Sequence, residues 1–312
     1  MLYTVPGGAW TTLAQTHERS SGRAFARVTF GHSGTYSVRI VLARTHRGRA
    51  VYGPVRSLKV IPSHAPEVLA HRGGSLLAPE NTISAFTRAI ADGARSLETD
   101  VQETSDGQLV LFHDATPART TDVAERFPGR ENDLIGTFTL AELLTLDAGF
   151  RLGPEWAGTS VATLDELLSL VSTSGVSLLA EAKNPANSPG IAQKLLDRVA
   201  AAGLHSTGAD NRIVFESFDL GTLQNIRSLD PNANVSPILS SFPAHIGDLS
   251  WANSITLRSS AATAIRMAAA HLAGLEVNVW TPNTAKEFDQ LADEGVDGII
   301  TDDPKLALAT LH

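Results

Sequence analysis

The chain has 312 residues, of which 43% are hydrophobic and 19% are charged, and these fractions are ordinary for a globular protein. It contains no cysteine and no run of about 18 apolar residues, which excludes disulfide bonds, thiol chemistry and a membrane-spanning helix. The length allows one large α/β domain together with one small domain.

Charge is distributed unevenly along the chain. The net charge is −8, yet residues 1–60 contain nine Lys or Arg residues and a single acidic residue, Glu18. So sharp a contrast predicts a domain boundary and a basic module that binds polyanions. The alternative is that the basic segment docks on the acidic remainder. No signal peptide is predicted at Met1, because Pro6 comes early and no apolar stretch follows.

Residues 1–61 show the alternation of β-strands. Tyr36, Val38, Ile40 and Leu42 fall on one face of a predicted strand. Weaker strand candidates are 10–15, 24–30 and 55–61. This pattern predicts part of an immunoglobulin-like or fibronectin-like β-sandwich, although four strands are too few for a complete one. A linker at 62–66, which contains two prolines, is predicted to end this sheet.

From residue 67 to residue 312, short apolar segments alternate with helical patterns. The predicted strands are 68–71, 96–102, 109–113, 177–182, 212–217, 235–239, 254–257, 276–280 and 297–301. The predicted helices are 81–92, 164–173, 190–202, 220–228, 262–273 and 284–294. Such alternation predicts a (β/α)8 TIM barrel, with an open doubly wound sheet as the alternative. Nine strands are one too many, and we expect 254–257 not to be a strand.

Charged residues two apart occur on or just after two of these strands, as Glu98 with Asp100 and as Glu181 with Lys183. Glu98 and Asp100 are two residues apart, so both side chains leave the same face of their strand. Carboxylates buried together repel each other unless a cation joins them, and Glu181 on another strand would supply a third ligand. Such a set suits Mg²⁺ or Ca²⁺. The alternatives are an exposed acidic strand end and a simple salt bridge between Glu181 and Lys183.

Two histidines follow apolar strands, His71 after the first and His113 after the third. Histidines at strand ends beside a metal can share general-base and general-acid catalysis at phosphorus. Arg72 and Lys183 would bind an anionic substrate. Trp280 ends a late strand and would form an apolar wall for the alcohol part of that substrate. A hydrogen-bonded structural histidine and a capping aromatic residue are the alternatives.

Taken together, these motifs resemble the glycerophosphodiester phosphodiesterase family over about residues 67–308. The matching motifs are His71-Arg72-Gly73, Ala78-Pro79-Glu80-Asn81-Thr82, Glu98-x-Asp100-Val101, His113-Asp114, Glu181-x-Lys183, Val279-Trp280-Thr281 and Ile300-Thr301-Asp302-Asp303-Pro304.

The resemblance implies a TIM barrel that uses a divalent metal to hydrolyse glycerophosphodiesters to glycerol 3-phosphate and an alcohol. It implies that His71 and His113 are the acid–base pair. The metal ligands would be Glu98, Asp100 and Glu181. Phosphate would be bound by Arg72 and Lys183, and Trp280 would line the glycerol pocket.

This chain departs from the family pattern in two respects, of which the absence of Pro before Thr163-Leu164 should matter little. Glu216 stands where the family often has Gln, which adds a negative charge near the site. Residues 116–160 are the least diagnostic part and are predicted to select the head group, with Arg119, Arg126, Phe127 and Arg130 as candidates.

Two further functions are kept as alternatives to this hydrolase. One is a phospholipase of the same barrel type that acts on lysophospholipids or inositol lipids. The other is a catalytically silent protein that binds a surface polymer. The basic residues 1–61 predict binding to a polyanionic wall polymer, and no nucleic-acid partner is expected. The fusion of a sandwich-like segment to the barrel favours an extracellular or cell-surface location over a cytoplasmic one.

Overall fold

The structure is a computed structural model, and it describes residues 2–4, 10–12, 34–42, 50–60, 65–204 and 212–311. The chain divides into two compact units, Met1–His64 and Ala65–His312. The predicted strand at 24–30 lies outside the described residues, as does most of the predicted linker at 62–66. The predicted domain limits therefore stay a prediction.

The described part of the first unit consists of short antiparallel strands. Four of them form a sheet in the order β2-β1-β3-β6, and β4 pairs with β5. That these strands belong to an immunoglobulin-like or fibronectin-like sandwich stays a prediction. Their bounds are β1 Leu2–Thr4, β2 Thr11–Thr12, β3 Gly34–Arg39, β4 Val41–Leu42, β5 Val51–Tyr52 and β6 Arg56–Val60.

The second unit is built around eight parallel strands that close into a barrel. Neighbouring strands pair in the order β7-β8-β10-β11-β12-β13-β14-β15, and β15 pairs with β7 to complete the ring. The predicted TIM barrel is therefore confirmed. The strands are β7 Glu67–Ala70, β8 Ser96–Glu103, β9 Leu109–Leu111, β10 Ser177–Ala182, β11 Ile213–Ser217, β12 Asn234–Leu239, β13 Ser254–Arg258, β14 Glu276–Trp280 and β15 Gly298–Thr301.

One expectation about the strands is wrong. Segment 254–257 is a barrel strand, because β13 pairs in parallel with both β12 and β14. The strand outside the ring is β9, which runs antiparallel to the last residues of β8. β7 pairs with β8 only through Ser96 and Leu97, which leaves the far end of that edge open for β9. Too few residues separate β8 and β9 for a crossover helix, so the chain returns as a hairpin.

Helices follow most barrel strands, and all six predicted helices are present. Short helices α2 and α3 and the C-terminal helix α9 were not predicted. Among the described residues no helix is long and apolar enough to cross a membrane. The helices are α1 Ile83–Ala91, α2 Val123–Arg126, α3 Leu140–Leu143, α4 Leu164–Ser174, α5 Ile191–Ala201, α6 Leu220–Leu229, α7 Ala264–Leu272, α8 Ala285–Glu294 and α9 Pro304–Leu311.

Local sequence signals define where these helices begin and end. α4 starts with a capping box, in which the Thr163 hydroxyl accepts from the backbone of Glu166 and the Glu166 carboxylate accepts from Thr163. It ends at Gly175, whose φ of 73° is left-handed and therefore favours glycine. Thr82 caps α1 by accepting from Ala85 N. These caps position the loops that join strand to helix at the mouth of the barrel.

Apolar side chains form two layers around the barrel wall. The larger layer lies between strands and helices and includes Leu97 and Val101, which therefore face away from the barrel axis. A small inner cluster of Leu69, Leu179 and Ile300 packs inside the barrel. Alternate residues of β8 consequently turn Glu98 and Asp100 inward, as the two-residue period of a strand requires.

Candidate active site

Three buried carboxylates meet inside the barrel. Glu98 and Asp100 lie on β8, and Glu181 lies on the neighbouring strand β10, in register with Asp100. One oxygen from each of the three side chains lies within 4.8 Å of the others. All three residues are buried. Such an all-oxygen set is the kind of site that hard divalent cations prefer.

The electrostatics of these carboxylates show an excess of buried negative charge. Burial, together with the neighbouring charge of Asp100, raises the pKa of Glu98 well above its usual value and that of Glu181 to about 8. Burial also raises the pKa of Glu216 to about 7. The pKa of Asp100 is lowered, because Arg72 and Lys183 outweigh the effect of its burial.

Two cations adjoin this group of acids. Lys183 Nζ lies 3.0 Å from Glu181 Oε2 and 3.2 Å from Asp100 Oδ1. Arg72 Nε lies 3.2 Å from Asp100 Oδ2. The salt bridge between Glu181 and Lys183, which was the alternative interpretation, is therefore present as part of the larger cluster. Both side chains also line the cavity described below.

The turn after β7 brings its backbone close to the acids. Arg72 has a left-handed φ of 52°, and its N–H donates to Glu98 Oε2 over 2.9 Å. Gly73 follows with a φ of 84°, and a Cβ there would lie 2.7 Å from the Cβ of Ala85. Glycine is therefore required at this position by both conformation and space.

His71 is oriented by a carboxylate from the last barrel strand. Its Nδ1 donates to Asp302 Oδ1 over 2.5 Å, and its Nε2 lies 3.9 Å from Glu98 Oε2. Ser75 Oγ and Asn283 Nδ2 also donate to Asp302. Burial would raise the pKa of Asp302, but the hydrogen bond and charge of His71 lower it. Asp302 is thus ionised, and Nε2 is the nitrogen left for proton transfer.

His113 is held by the same kind of contact. It follows β9, and its Nδ1 donates to Asp114 Oδ1 over 2.7 Å. Arg119 in turn donates to both carboxylate oxygens of Asp114 and to Glu80. Burial lowers the pKa of His113 below its usual value, and the charges of Arg72 and Lys183 act in the same direction.

A cavity of about 240 Å³ unites these groups with an aromatic wall. Phe218 and Trp280 form one side, with ring centres 5.8 Å apart in an edge-to-face arrangement. The indole Nε1 of Trp280 is buried and has no acceptor among the described residues. The lining comprises His71, Arg72, Glu98, His113, Glu181, Lys183, Glu216, Phe218, Ile238, Thr256, Trp280, Thr281 and Ile300.

All eight predicted site residues therefore come together. Seven line the cavity, and Asp100 lies directly behind them against Arg72 and Lys183. Glu216 also faces the cavity, where it accepts from Thr256 Oγ1 over 2.7 Å.

Sequence reasoning gave no role to several residues that hold the site in place, although most of them lie within the recognised motifs. Asn81 illustrates this, since its side chain donates to Asp100 and accepts from Thr99. The others are Glu80, Asp114, Phe218, Asn283 and Asp302.

The residues proposed to select the head group do not act together. Arg119 reaches the site through Glu80 and Asp114. Arg126 pairs with Asp122, and Arg130 stacks on Phe138 within residues 116–160, which have their own apolar core. Only the first of these three arginines therefore contacts the catalytic surroundings.

Comparison with known proteins supports the same interpretation. Residues 71–306 match the model of the glycerophosphoryl diester phosphodiesterase family. A glycerophosphodiester phosphodiesterase from Caldanaerobacter subterraneus is 32% identical over 242 residues, which are 76% of this chain and 94% of that protein.

Two solved structures share the fold of the barrel unit. A phosphodiesterase from Oleispira antarctica, in complex with the product sn-glycerol-3-phosphate, has a TM-score of 0.69 and 28% identity, over 79% of this chain and 96% of that one. A glycerophosphodiester phosphodiesterase from Agrobacterium tumefaciens has a TM-score of 0.64 and 26% identity, over 78% and 99%. This chain belongs to the glycerophosphoryl diester phosphodiesterase family and is an enzyme of the phosphoric diester hydrolase class.

Proposed function

We propose that this enzyme hydrolyses glycerophosphodiesters to glycerol 3-phosphate and an alcohol, by acid–base catalysis from His71 and His113 beside a divalent cation. The observation that carries the proposal is the meeting of both histidines, the three carboxylates and two cationic side chains at one cavity. The product bound by the Oleispira antarctica relative supports glycerol 3-phosphate as the phosphate-containing product.

The metal ligands would be Glu98, Asp100 and Glu181. Their oxygens lie close enough for one ion, and a bound cation would stabilise the charged forms of Glu98 and Glu181, whose pKa values are raised by burial and by the charge of Asp100. Ca²⁺ or Mg²⁺ fits this all-carboxylate set. When bound, the ion would polarise a phosphoryl oxygen and stabilise the charge that develops there.

The two histidines would divide the proton transfers. Each ring donates Nδ1–H to a carboxylate, which leaves Nε2 free. One Nε2 would accept the proton of the attacking hydroxyl, and the other would donate a proton to the departing alkoxide. The attacking hydroxyl belongs either to water or to the glycerol carbon next to the esterified one. In the second case a cyclic phosphate forms first and is then hydrolysed.

Substrate binding would use the remaining walls of the cavity. Arg72 and Lys183 would donate to the phosphoryl oxygens. Trp280 and Phe218 would pack against the carbon atoms of one arm of the diester.

The test is release of glycerol 3-phosphate from glycerophosphocholine, glycerophosphoethanolamine and glycerophosphoglycerol, with and without EDTA. We expect EDTA to abolish activity and Ca²⁺ or Mg²⁺ to restore it. Glu181→Gln should weaken this restoration, whereas Glu125→Gln, on an exposed residue of α2, is the matched control. Full turnover in the presence of chelator would remove the metal from the proposal.

Two proposals concern the first unit of the chain. Residues 1–61 would bind a polyanionic wall polymer through their basic side chains, and the protein would work outside the cell or at its surface. Only the charge of this segment and its sandwich-like pattern support them. Binding of the full chain to poly(glycerol phosphate) that is insensitive to salt would contradict the first.

A further inference from the structure

Arg258 ends β13 beside the aromatic wall of the cavity. It lies in register with Trp280 of β14, and its guanidinium carbon is 4.9 Å from the centre of the indole ring. Thr256, two residues earlier, lines the cavity. Because side chains two apart on a strand leave the same face, Arg258 is directed to the cavity side, one layer nearer the mouth.

This arginine differs from the other cations of the mouth. Arg72, Lys183 and Arg119 each lie within 4.0 Å of at least one carboxylate. Within the part of the chain that the structure describes, the Arg258 guanidinium makes a cation–π contact with Trp280 and has no hydrogen bond or ion pair. The residue is exposed, so its hydrogen-bond donors are open to a ligand.

We propose that Arg258 forms an anion subsite at the mouth, which binds a negatively charged group on the arm of the substrate that lies along Trp280. This inference deepens the proposed function and rests on it. The cation–π contact with the indole would position the guanidinium while its N–H donors stay unpaired, and that fork of donors matches a carboxylate or a phosphate. The ligand is therefore a glycerophosphodiester with a second anionic group, either a head-group carboxylate or another phosphate.

The same arrangement disfavours a cationic head group. Trp280 and Phe218 would otherwise be suited to a quaternary ammonium ion, which binds to aromatic faces. Arg258 already occupies the neighbourhood of the indole, and its positive charge repels a second cation. The subsite thus selects among substrates that share the same reacting phosphodiester.

The experiment compares two matched pairs of substrates. Glycerophosphoserine differs from glycerophosphoethanolamine by one carboxylate, and bis(glycerophospho)glycerol differs from glycerophosphoglycerol by one glycerol phosphate unit. For the wild-type enzyme we expect a higher kcat/KM for the more anionic member of at least one pair. Arg258→Gln should lower that ratio by about five- to tenfold, which is the range of a partly exposed charge-assisted contact.

Further variants separate binding from a structural effect. Arg258→Lys should keep part of the preference, because it keeps the charge, and Arg258→Glu should reverse it. Arg126→Gln is the control, since it removes an exposed arginine that is paired with Asp122 inside residues 116–160. A preference confined to the serine pair identifies a head-group carboxylate, and one confined to the glycerol pair identifies a second phosphate.

The outcomes distinguish this inference from the proposed function. If the wild-type enzyme hydrolyses neither glycerophosphocholine nor any of these four diesters, the proposed function fails. If it hydrolyses them but shows no preference within either pair, or if Arg258→Gln leaves the preferred ratio unchanged, the anion subsite alone is overturned. An equal loss of kcat/KM on all four substrates in Arg258→Gln would also overturn it. That result would indicate that Arg258 only supports the position of Trp280.

Discussion

The two histidines of the cavity share one contact but differ in their surroundings. In both, Nδ1 donates to a carboxylate, which is Asp302 for His71 and Asp114 for His113. The His71 pair is the more buried, with 16% and 19% of the side chains exposed, compared with 31% and 33% for the His113 pair. The same proton-transfer unit is therefore built in two environments.

The supports of the two carboxylates also differ. Asp302 directly follows β15, and neutral donors on the loops after β7 and β14, Ser75 and Asn283, bind it. Asp114 is bound instead by Arg119, which is 48% exposed and belongs to residues 116–160. His71 is thus held by the barrel itself, whereas His113 depends on residues 116–160, the insertion between β9 and α4. The position of His113 is therefore the more easily changed by a substitution within residues 116–160.

The largest expected effect concerns the histidines themselves. His71→Ala and His113→Ala should each reduce kcat by about 10²–10⁴-fold, because each removes a proton-transfer group from the transition state. Turnover of glycerophosphoglycerol with saturating Ca²⁺ or Mg²⁺ is the measurement. Near-normal activity in either variant would remove that histidine from the mechanism. The two histidines could then not share the proton transfers.

Replacing the two carboxylates should reveal the difference between them. Asp302→Asn should lower kcat by roughly 10²-fold and Asp114→Asn by roughly tenfold, because the amide fails to fix the histidine tautomer and the His71 pair is less accessible to water. Measurement of kcat and KM for the two variants side by side checks both expected losses. Equal losses in the two variants would show that burial does not distinguish them.

A smaller effect is expected at the edge of the insertion. Arg119→Gln should reduce kcat about threefold or less, since the arginine touches His113 only through Asp114 and exposed ion pairs are weak. The loss should be measured against Arg126→Gln, which changes the same charge within the same insertion. A loss as large as that of Asp114→Asn would mean that Arg119 contacts the substrate itself.

The smallest expected effect is on the pH dependence of kcat/KM in the Asp114→Asn variant. Burial lowers the pKa of His113, so its neutral form persists below the pH at which an exposed histidine titrates. If neutral His113 is required, activity is lost as the pH falls through this lowered pKa. The hydrogen bond to Asp114 raises the pKa of His113, so Asp114→Asn should move the acidic limb of kcat/KM towards lower pH. An upward shift would contradict this assignment.

Much of this site could be predicted because strand geometry is local. The two-residue spacing of Glu98 and Asp100 places both carboxylates on one face of β8, whatever the rest of the chain does. The positions of His71 after β7 and of Trp280 at the end of β14 follow from apolar runs that end there. Helix ends were predictable for the same reason, since caps such as Thr163 with Glu166 act within a few residues.

Pairing between strands was harder to predict. Segments 109–113 and 254–257 are both short, and their own residues do not separate a hairpin strand from a barrel strand. Only the short gap between β8 and β9, which excludes a crossover helix, indicates the hairpin. The structure assigns them by their neighbours, with β9 antiparallel to β8 and β13 parallel to β12 and β14.

The amino-acid sequence by itself determined the residue types, their faces on each strand and the class of chemistry that two histidines and three carboxylates can perform. Only the tertiary structure decided which of these groups share a cavity and which partner each one has. Asp302 reaches His71 across 231 residues of chain, and Arg258 meets Trp280 only because β13 pairs with β14. The physical reason is that strand periodicity is set by the backbone within a few residues, whereas contacts across the barrel mouth exist only once all eight strands have paired.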